Sequence, residues 1–551
     1  MEQPGRSDLE AWRAAKPGNF FSARPDLGAL LDQYVGAGAV ALTARLESFG
    51  RSVVEVIDPA VEVQERSREY PRLRPFDEVG RRVEEVEFHP AERRAADAAW
   101  GSGMLATRLD YIGAFDVAAH FFLLSHVGEG GQACPIVCTI GLRRAIEHHA
   151  SAELKERYLP GLTATDASVA LRGSQFLTEV QGGSDVGANA TCAEPDPAEP
   201  GTWRLDGEKW FCSVADADLF AVTARRAGAG SGTGGLGCFL VPRSLDGAPN
   251  GFRIRRLKDK LGTRVMASAE IEFEGARAFP IGDPTHGFKI AVGDLLNTSR
   301  WLNAVGSAGI MSRAYLEAST FARYRRAFGR LIGDYPAVGE QLATMRMETA
   351  AAVASTFALT ELVAKIDGGL ATPDEVKVHR FLVNANKYLT SIAATDIVHQ
   401  GIEILGGNGT IEDFSPLPRL YRDSIVFESW EGTHNVLCNQ VRRDCARLGL
   451  LEAVADWVRR ALVDSPAALA GPARQTARAL ERLQPPLHES LRDADLESAG
   501  FRRQLTELTR VIQAACLLRE AAHHGAADEK GELAARFVEC HLGTGEDRAG
   551  R

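Results

Sequence analysis

Apolar residues recur at three- and four-residue spacing from Leu27 to Phe49 and from Pro90 to Leu159, in runs rich in Ala and Leu. The start of the chain therefore reads as amphipathic helices joined by polar turns. Between these runs, Tyr70 to Asp77 and Val83 to His89 read as extended segments, limited by prolines and charges. From about Ser168 the period shortens toward alternation. Trp203 to Phe211 predicts two strands about an Asp206-Gly207 turn. Leu219 to Thr223, Cys238 to Val241, Ile254 to Leu257 and Ala269 to Phe273 predict further strands, with a flexible run at Ala227 to Gly235. Near His286 the helical period returns and continues to Arg443, with a turn at Asp367-Gly368-Gly369 and a new helix from Pro373. The tail predicts helices at Leu451 to Val463, Ala473 to Leu483 and Phe501 to His523, broken by Pro466, Pro472 and Pro485-Pro486. The chain is thus expected to be mostly α with a central β domain. Its expected parts are an N-terminal helical domain (1–167), the β domain (168–285), a second helical domain (286–446) and a C-terminal helical extension (447–551).

Composition sharpens this picture. With 551 residues, 45% hydrophobic and 25% charged, the chain is long enough for several domains and a sizeable core. A net charge of −10 gives no general reason to expect a polyanionic partner. The nine cysteines are an odd number without paired metal-ligand spacing. Cys134 and Cys138 have neither a second pair nor a nearby His, so reduced core or pocket thiols and no metal are expected. Met1 to Asp8 carries acids and no apolar core of signal length, which predicts a cytoplasmic protein. No run of about eighteen apolar residues predicts a membrane span.

The candidate chemistry lies in five places. In Ser429-Trp430-Glu431-Gly432-Thr433-His434-Asn435 a carboxylate sits between an indole and a glycine, where desolvation can raise its pKa and make it a proton acceptor. An exposed loop or helix start carries the same residues, and Glu428, one turn earlier, is a second candidate. Gly406, Gly407 and Gly409 follow an apolar helix and let a backbone approach a phosphate or ribityl chain. Leu177 to Asp185 offers hydroxyls and open amides, including those of Thr178 and Ser184, or is simply a turn. Phe211 and Ser213, two residues apart on a strand, face one side and can cover a flat ring, or are simply a core Phe and a strand-end Ser. Arg325, before Phe328-Gly329, carries a guanidinium that forks onto two phosphate oxygens, or belongs to a solvated helix face.

In this order the motifs resemble the acyl-CoA dehydrogenase family over roughly residues 75–445. The segment from Ala394 to Arg442 is similar to its C-terminal signature, and Arg74 to Pro90 with Gln181-Gly182-Gly183-Ser184-Asp185 resembles the AidB-type, alkylation-response-related branch. The resemblance implies a helical domain, a β-barrel and a four-helix bundle, with the C-terminal helices as an extra domain. It implies one non-covalent FAD per chain, contacted by Thr178, Phe211, Ser213, Arg325, Phe328, Gly406, Gly407, Gly409, Thr433 and Asn435, with Arg325 reaching the pyrophosphate of a neighbouring subunit. Phe211 and Ser213 stand where the family usually has Trp and Thr. Pro336 stands where it has a Gln that contacts the cofactor. Ser184 and Arg300 are implied at the acyl-CoA, Asn297 replaces an acid of the same element, and Ser299 stands where some branches carry the base. Glu431 remains as the base, its amide stabilising the enolate while the β-hydride passes to flavin N5. An electron-transfer flavoprotein as acceptor and a homotetramer are implied as well. Two alternatives stand beside this reading. One is an AidB-like flavoprotein binding DNA through the tail, which carries roughly fifteen Lys and Arg against roughly sixteen Asp and Glu. The other is a flavin oxidase or monooxygenase on the same fold.

Overall fold

The structure, a computed structural model, describes residues 4–245, 247–463, 465–492, 499–524 and 528–543. Met1 to Gln3 of the acidic N-terminal stretch and residues 544–551 of the tail lie outside the described residues. Helices Pro4–Ala14, Pro25–Val35 and Ala39–Ser52 come first, followed by a hairpin of β1 (Arg72–Phe76) and β2 (Arg82–Glu87). Helices α1 (Tyr111–Leu124) and α2 (Ala133–His149) precede seven strands: β3 (Gly173–Phe176), β4 (Cys192–Pro195), β5 (Trp203–Ser213), β6 (Leu219–Arg226), β7 (Leu236–Pro242), β8 (Phe252–Leu257) and β9 (Ser268–Pro280). Apart from a short hairpin between Arg326 and Leu331, the remainder is helical: α3 (Asn297–Tyr324), α4 (Pro336–Asp367), α5 (Pro373–Leu405), α6 (Leu417–Ser429), α7 (His434–Leu448), α8 (Leu450–Val463), α9 (Ala470–Arg492), α10 (Ala499–His524) and α11 (Glu529–Leu542).

The chain divides into two compact units. One comprises Ser52–Arg108 and Val127–Leu302; the other comprises Met1–Arg51, Leu109–His126 and Asn303–Arg551. In the first, β9, β5, β4, β6 and β7 pair in a ring, because β7 bonds to both β6 and β9, and β3 and β8 extend it. A closed ring removes the unpaired edges an open sheet would expose. Strands β6 and β7 are almost continuously buried, and α2 packs its Leu142, Ala145 and Ile146 against Leu219, Ala221 and Leu240 of these strands.

The predicted turn at Asp206-Gly207 is not one. Strand β5 runs straight through it from Trp203 to Ser213. Gly207 adopts φ +139°, and a Cβ there would meet the Thr191 Cα at 2.7 Å. Opposite, β9 carries a bulge between Phe273 and Ala276, where Asp206 Oδ1 accepts the Gly275 N–H. The dipeptide thus accommodates a close strand crossing rather than a reversal.

In the helical unit, α4 is buried on nearly every face from Thr349 to Leu359, as a core helix must be. Two helical stretches, Asp26–Ser67 and Pro336–Asp367, are apolar and long enough to cross a membrane by length and composition. A search for uninterrupted apolar runs misses them. For Pro336–Asp367, 78% of the most apolar window is buried, as the centre of a bundle requires. Pro336, which replaces the expected Gln, occupies the first turn of α4, where its missing N–H costs no hydrogen bond. Pro373 starts α5, whose Thr372 cap and Glu375 form a reciprocal capping box.

The tail differs from expectation at its prolines. Helix α9 continues through Pro472, Pro485 and Pro486 to Arg492. Leu480, Leu483 and Leu487 are all buried on one face, so packing outweighs the lost backbone bonds. Helices α9 to α11 also spend much of their charge on the bundle. Arg510 and His541 pair with Glu348, Arg519 with Glu361, Arg536 with Glu340, and Glu529 with Arg346.

Candidate functional site

In the β unit, the stretch after β3 is fastened from beneath. Glu179 is buried and receives Lys209 Nζ at 2.7 Å, the Ala190 N–H at 2.6 Å and the Thr191 N–H at 3.1 Å. Burial alone would raise its pKa, but Lys209 and these donors prevail and hold the carboxyl at about 2. Lys209, fully buried, also donates to the Leu177 carbonyl. Thr178 is thereby placed against β5, its carbonyl accepting the Trp210 N–H at 2.9 Å. Gly183 packs so close that a Cβ would lie 2.5 Å from Thr178 Oγ1. The Glu and Lys of these motifs are thus the rivet, and Thr178 is the residue they present.

Strand β5 carries a bulge of its own, with Trp210 and Phe211 between Lys209 and Cys212 opposing the single residue Glu270 on β9. An extra residue reverses the alternation. Lys209 and Cys212 therefore point into the protein while Phe211 and Ser213 share the open face, with Phe211 54% exposed. Lys258 Nζ lies 3.7 Å from the centre of the Trp210 ring and 4.7 Å from that of Phe211, and pairs with buried Glu270 at 2.9 Å. Ser213 Oγ is 3.4 Å from Ser268 Oγ, which receives Lys260 Nζ at 3.1 Å. An exposed apolar ring followed by a hydroxyl is what a flat heteroaromatic ligand requires. Ser184 is exposed. Arg300 is 4% exposed at the start of α3, one residue after Ser299, whose Oγ accepts Gln175 Nε2 at 2.8 Å. Its burial suits anchoring this helix better than first contact with a ligand. The same unit holds a group absent from the sequence reading: His148 Nδ1 and His149 Nε2 bond to the two oxygens of Asp294 at 2.6 and 2.8 Å. Their donor atoms lie close enough to hold a metal ion, but the carboxylate already serves both imidazoles.

In the helical unit, α6 ends at Ser429 and α7 begins at His434, leaving Trp430 to Thr433 as a tight turn. Glu431 adopts φ +60° and Gly432 φ +109°. A left-handed backbone costs a residue with a Cβ about 1–2 kcal/mol, and the turn is held from behind. Lys387, fully buried on α5, donates to the Glu428 carbonyl at 2.8 Å and to the Gly432 carbonyl at 3.1 Å. Glu428 itself is spoken for. Its carboxylate accepts from Thr395 and from His434 Nε2 at 2.8 Å, and although burial pushes its pKa up, these partners and Lys387 bring it below the usual carboxylate range. The half-buried Glu431 follows Trp430, whose ring packs on Phe427 at 5.0 Å.

The other expected residues of this unit divide. After α5, Gly406 adopts φ +62°, and Gly406 and Gly407 have open space where a Cβ would stand, whereas a Cβ on Gly409 would lie 2.4 Å from the Ile402 carbonyl. Thr433 is the extended N-cap of α7, with no side-chain cap bond. Asn435 Oδ1 accepts Arg502 from α10 at 2.9 Å. Arg325 precedes a small hairpin, Arg326–Ala327 paired with Arg330–Leu331, whose tip is Phe328 (φ +50°) and Gly329 (φ +87°). Phe328 is 97% exposed. A stiff hairpin that holds an aromatic ring in water has the form of a contact for another molecule. Sequence reasoning missed Lys387 and Arg502. Lys387 left a trace as a lone cation inside the apolar run from Phe381 to Ala394; Arg502 left none.

Three family models match the chain in order. They are the adaptive response protein AidB N-terminal domain over residues 13–167, and the acyl-CoA dehydrogenase middle and C-terminal domains over 174–276 and 285–446. AidB of Escherichia coli (strain K12) is 34% identical over 437 residues, 76% of each chain. Acyl-CoA dehydrogenase family member 11 of Caenorhabditis elegans is 32% identical over 421 residues, 73% of this chain and 66% of that protein. Among solved structures, Caenorhabditis elegans ACDH-11 in complex with C11-CoA aligns with a TM-score of 0.88 at 27% identity, covering 96% of this chain and 93% of that one. An acyl-CoA dehydrogenase complexed with FAD from Bacillus anthracis shares the fold, with a TM-score of 0.72 at 20% identity over 91% and 87% of the two chains.

Proposed function

The chain belongs to the acyl-CoA dehydrogenase family, and we propose that it oxidises a coenzyme A thioester to the 2-enoyl form with Glu431 as the base. The contrast between its two acids carries this reading. Glu428 is locked by Thr395 and His434, whereas Glu431 sits at the apex of a turn that Lys387 brackets in a costly conformation. Strained backbone of this kind clusters at active sites, and of the two acids at this turn Glu431 is the one that carries it.

FAD, the family's cofactor, supplies the acceptor for the β-hydride. The residues present fit it. Phe211 and Ser213 offer a ring face and a hydroxyl on one side of β5, Gly183 and Gly409 occupy positions that a Cβ would block, and Gly406 and Gly407 leave their backbone open. Thr178, Phe211, Ser213, Gly406, Gly407, Gly409, Thr433 and Asn435 would hold the cofactor, and Arg325 and Phe328 would reach that of a neighbouring subunit. Such a contact makes the protein an oligomer, which we take as a homotetramer. Glu431 removes the proton α to the thioester carbonyl, and its backbone N–H donates to the oxygen on which the enolate charge builds; such a donor is worth on the order of a hundredfold in rate. Ser184 contacts the thioester from its exposed loop. An electron-transfer flavoprotein reoxidises the enzyme.

Anaerobic mixing with acyl-CoAs of graded length, followed by flavin bleaching, tests this. Glu431→Gln is expected to keep FAD and lose reduction by about a hundred- to ten-thousandfold, while Glu428→Gln stays within severalfold of wild type. Reduction of the Glu431→Gln protein at the wild-type rate by its best substrate overturns the assignment.

A further inference from the structure

The C-terminal extension reaches the turn that carries Glu431. Arg502, at the start of α10, donates through Nη1 to Asn435 Oδ1 at 2.9 Å and through Nε to the Tyr388 hydroxyl at 3.3 Å. The same hydroxyl lies 2.9 Å from Thr506 Oγ1, one turn along α10. Tyr388 follows Lys387, the residue that brackets the turn, and its ring packs edge-on against His434, which holds Glu428. A connected path thus runs from the extension through Arg502, Tyr388 and His434 to both ends of the segment Glu428 to Asn435.

The contact with Asn435 has a direction. A guanidinium has donors only, so the amide oxygen must face it and the Asn435 NH2 must face away. A cation bonded to the first turn of α7 is also electrostatically misplaced, because the helix N-terminus is itself positive. Placed there, Arg502 adds to a field that attracts an anion and presents amide donors to it. We propose that Arg502 is a positioning residue through which the C-terminal extension orients Asn435 for the pyrophosphate region of FAD, so that cofactor retention depends on a helix outside the catalytic bundle. This rests on the reading of Asn435 as a cofactor contact.

The test compares full-length holoproteins with wild type, Arg502→Met, Arg502→Lys, Asn435→Ala and the double variant Arg502→Met/Asn435→Ala. Arg536→Met serves as a control because it breaks an exposed pairing between the extension and Glu340. FAD dissociation is read from recovery of flavin fluorescence on dilution, and thermal melting is followed in parallel. Arg502 is exposed, so its substitution should leave melting within about 2 °C of wild type. FAD affinity is expected to fall about five- to tenfold in Arg502→Met, to return in part with Arg502→Lys, and to fall no further in the double variant than in Asn435→Ala alone. Arg536→Met should match wild type. Wild-type FAD affinity in Arg502→Met, or additive losses in the double variant, overturns the inference. Wild-type affinity in Asn435→Ala overturns the cofactor reading of that residue, and the inference with it, but leaves the Glu431 assignment to its own bleaching assay.

Discussion

Replacing Lys387 by Met should separate the shape of the catalytic turn from the chemistry of its acid. Methionine fills nearly the same volume and leaves no charge in a fully buried site. It removes two donors, one at each end of a turn five residues across, to the carbonyls of Glu428 and Gly432. A hydrogen bond from a charged donor contributes about 1.5–3 kcal/mol, so the pair contributes about 3–6 kcal/mol before desolvation of the ammonium is set against it. Several kcal/mol return when a buried charge is deleted, leaving a global loss of about 1–3 kcal/mol. The local effect should be larger than the global one. Without the clamp, Glu431 gains about 1–2 kcal/mol by leaving φ +60°, and the carboxylate moves with the backbone. The expected result is a melting temperature lowered by a few degrees, FAD still bound, and anaerobic reduction by acyl-CoA slowed about a hundredfold. Stopped-flow bleaching and calorimetry measure the two effects on the same sample. A Lys387→Met protein that melts several degrees lower yet reduces its flavin at the wild-type rate would refute the clamp, because stability would have been lost without disturbing the turn.

Other outcomes follow from geometry already described. Glu179, held at about 2 in the folded protein against an ordinary carboxyl value near 4.5, stabilises the β unit fully above that ordinary value and loses its contribution as pH falls toward 2; acid unfolding followed by circular dichroism should shift to higher pH in Glu179→Gln. Phe328→Ala should leave the melting of the helical unit unchanged, since the ring is 97% exposed, but lower the assembly state or FAD retention in analytical ultracentrifugation with absorbance at flavin wavelengths. Binding of the full chain to duplex DNA should be negligible near physiological salt and steeply salt-dependent below it, because Arg510, Arg519 and Arg536 of the extension are paired with acids of the bundle; a gel shift that survives at physiological salt would contradict this.

The elements that depend on local period were legible in the sequence. Strands β6 to β9 and the breaks at Gly368 and Pro373 lie where alternation, helical spacing and capping residues put them. The misreadings share a cause in contacts that a local pattern does not encode. Asp206-Gly207 has turn composition, but the neighbouring strand supplies a bulge that accepts it within β5. Pro485-Pro486 has breaker composition, but the buried leucines on either side of it carry the helix through. At the site, the residues that present chemistry were legible because they sit in short motifs. Those that hold them in place were not, since Glu179 meets Lys209 across 30 residues and Lys387 meets Gly432 across 45. A buried lysine bonded to two carbonyls leaves only one odd cation in an apolar run.

The division of the helical unit into three stretches of chain bears on how the protein is made. Arg24 bonds to Ser312, and Tyr34 waits for Arg519, which lies 485 residues later. At about 5–20 residues per second, the first helices leave the ribosome roughly half a minute to a hundred seconds before their last partner exists. Throughout that interval their apolar faces lack the helices that cover them in the finished fold. The β unit, built from residues 52–108 and 127–302, is complete once residue 302 is made and can close long before this, which makes the N-terminal helices the part of the nascent chain most in need of a chaperone. A chain that stops short of α10 would leave those helices uncovered for good.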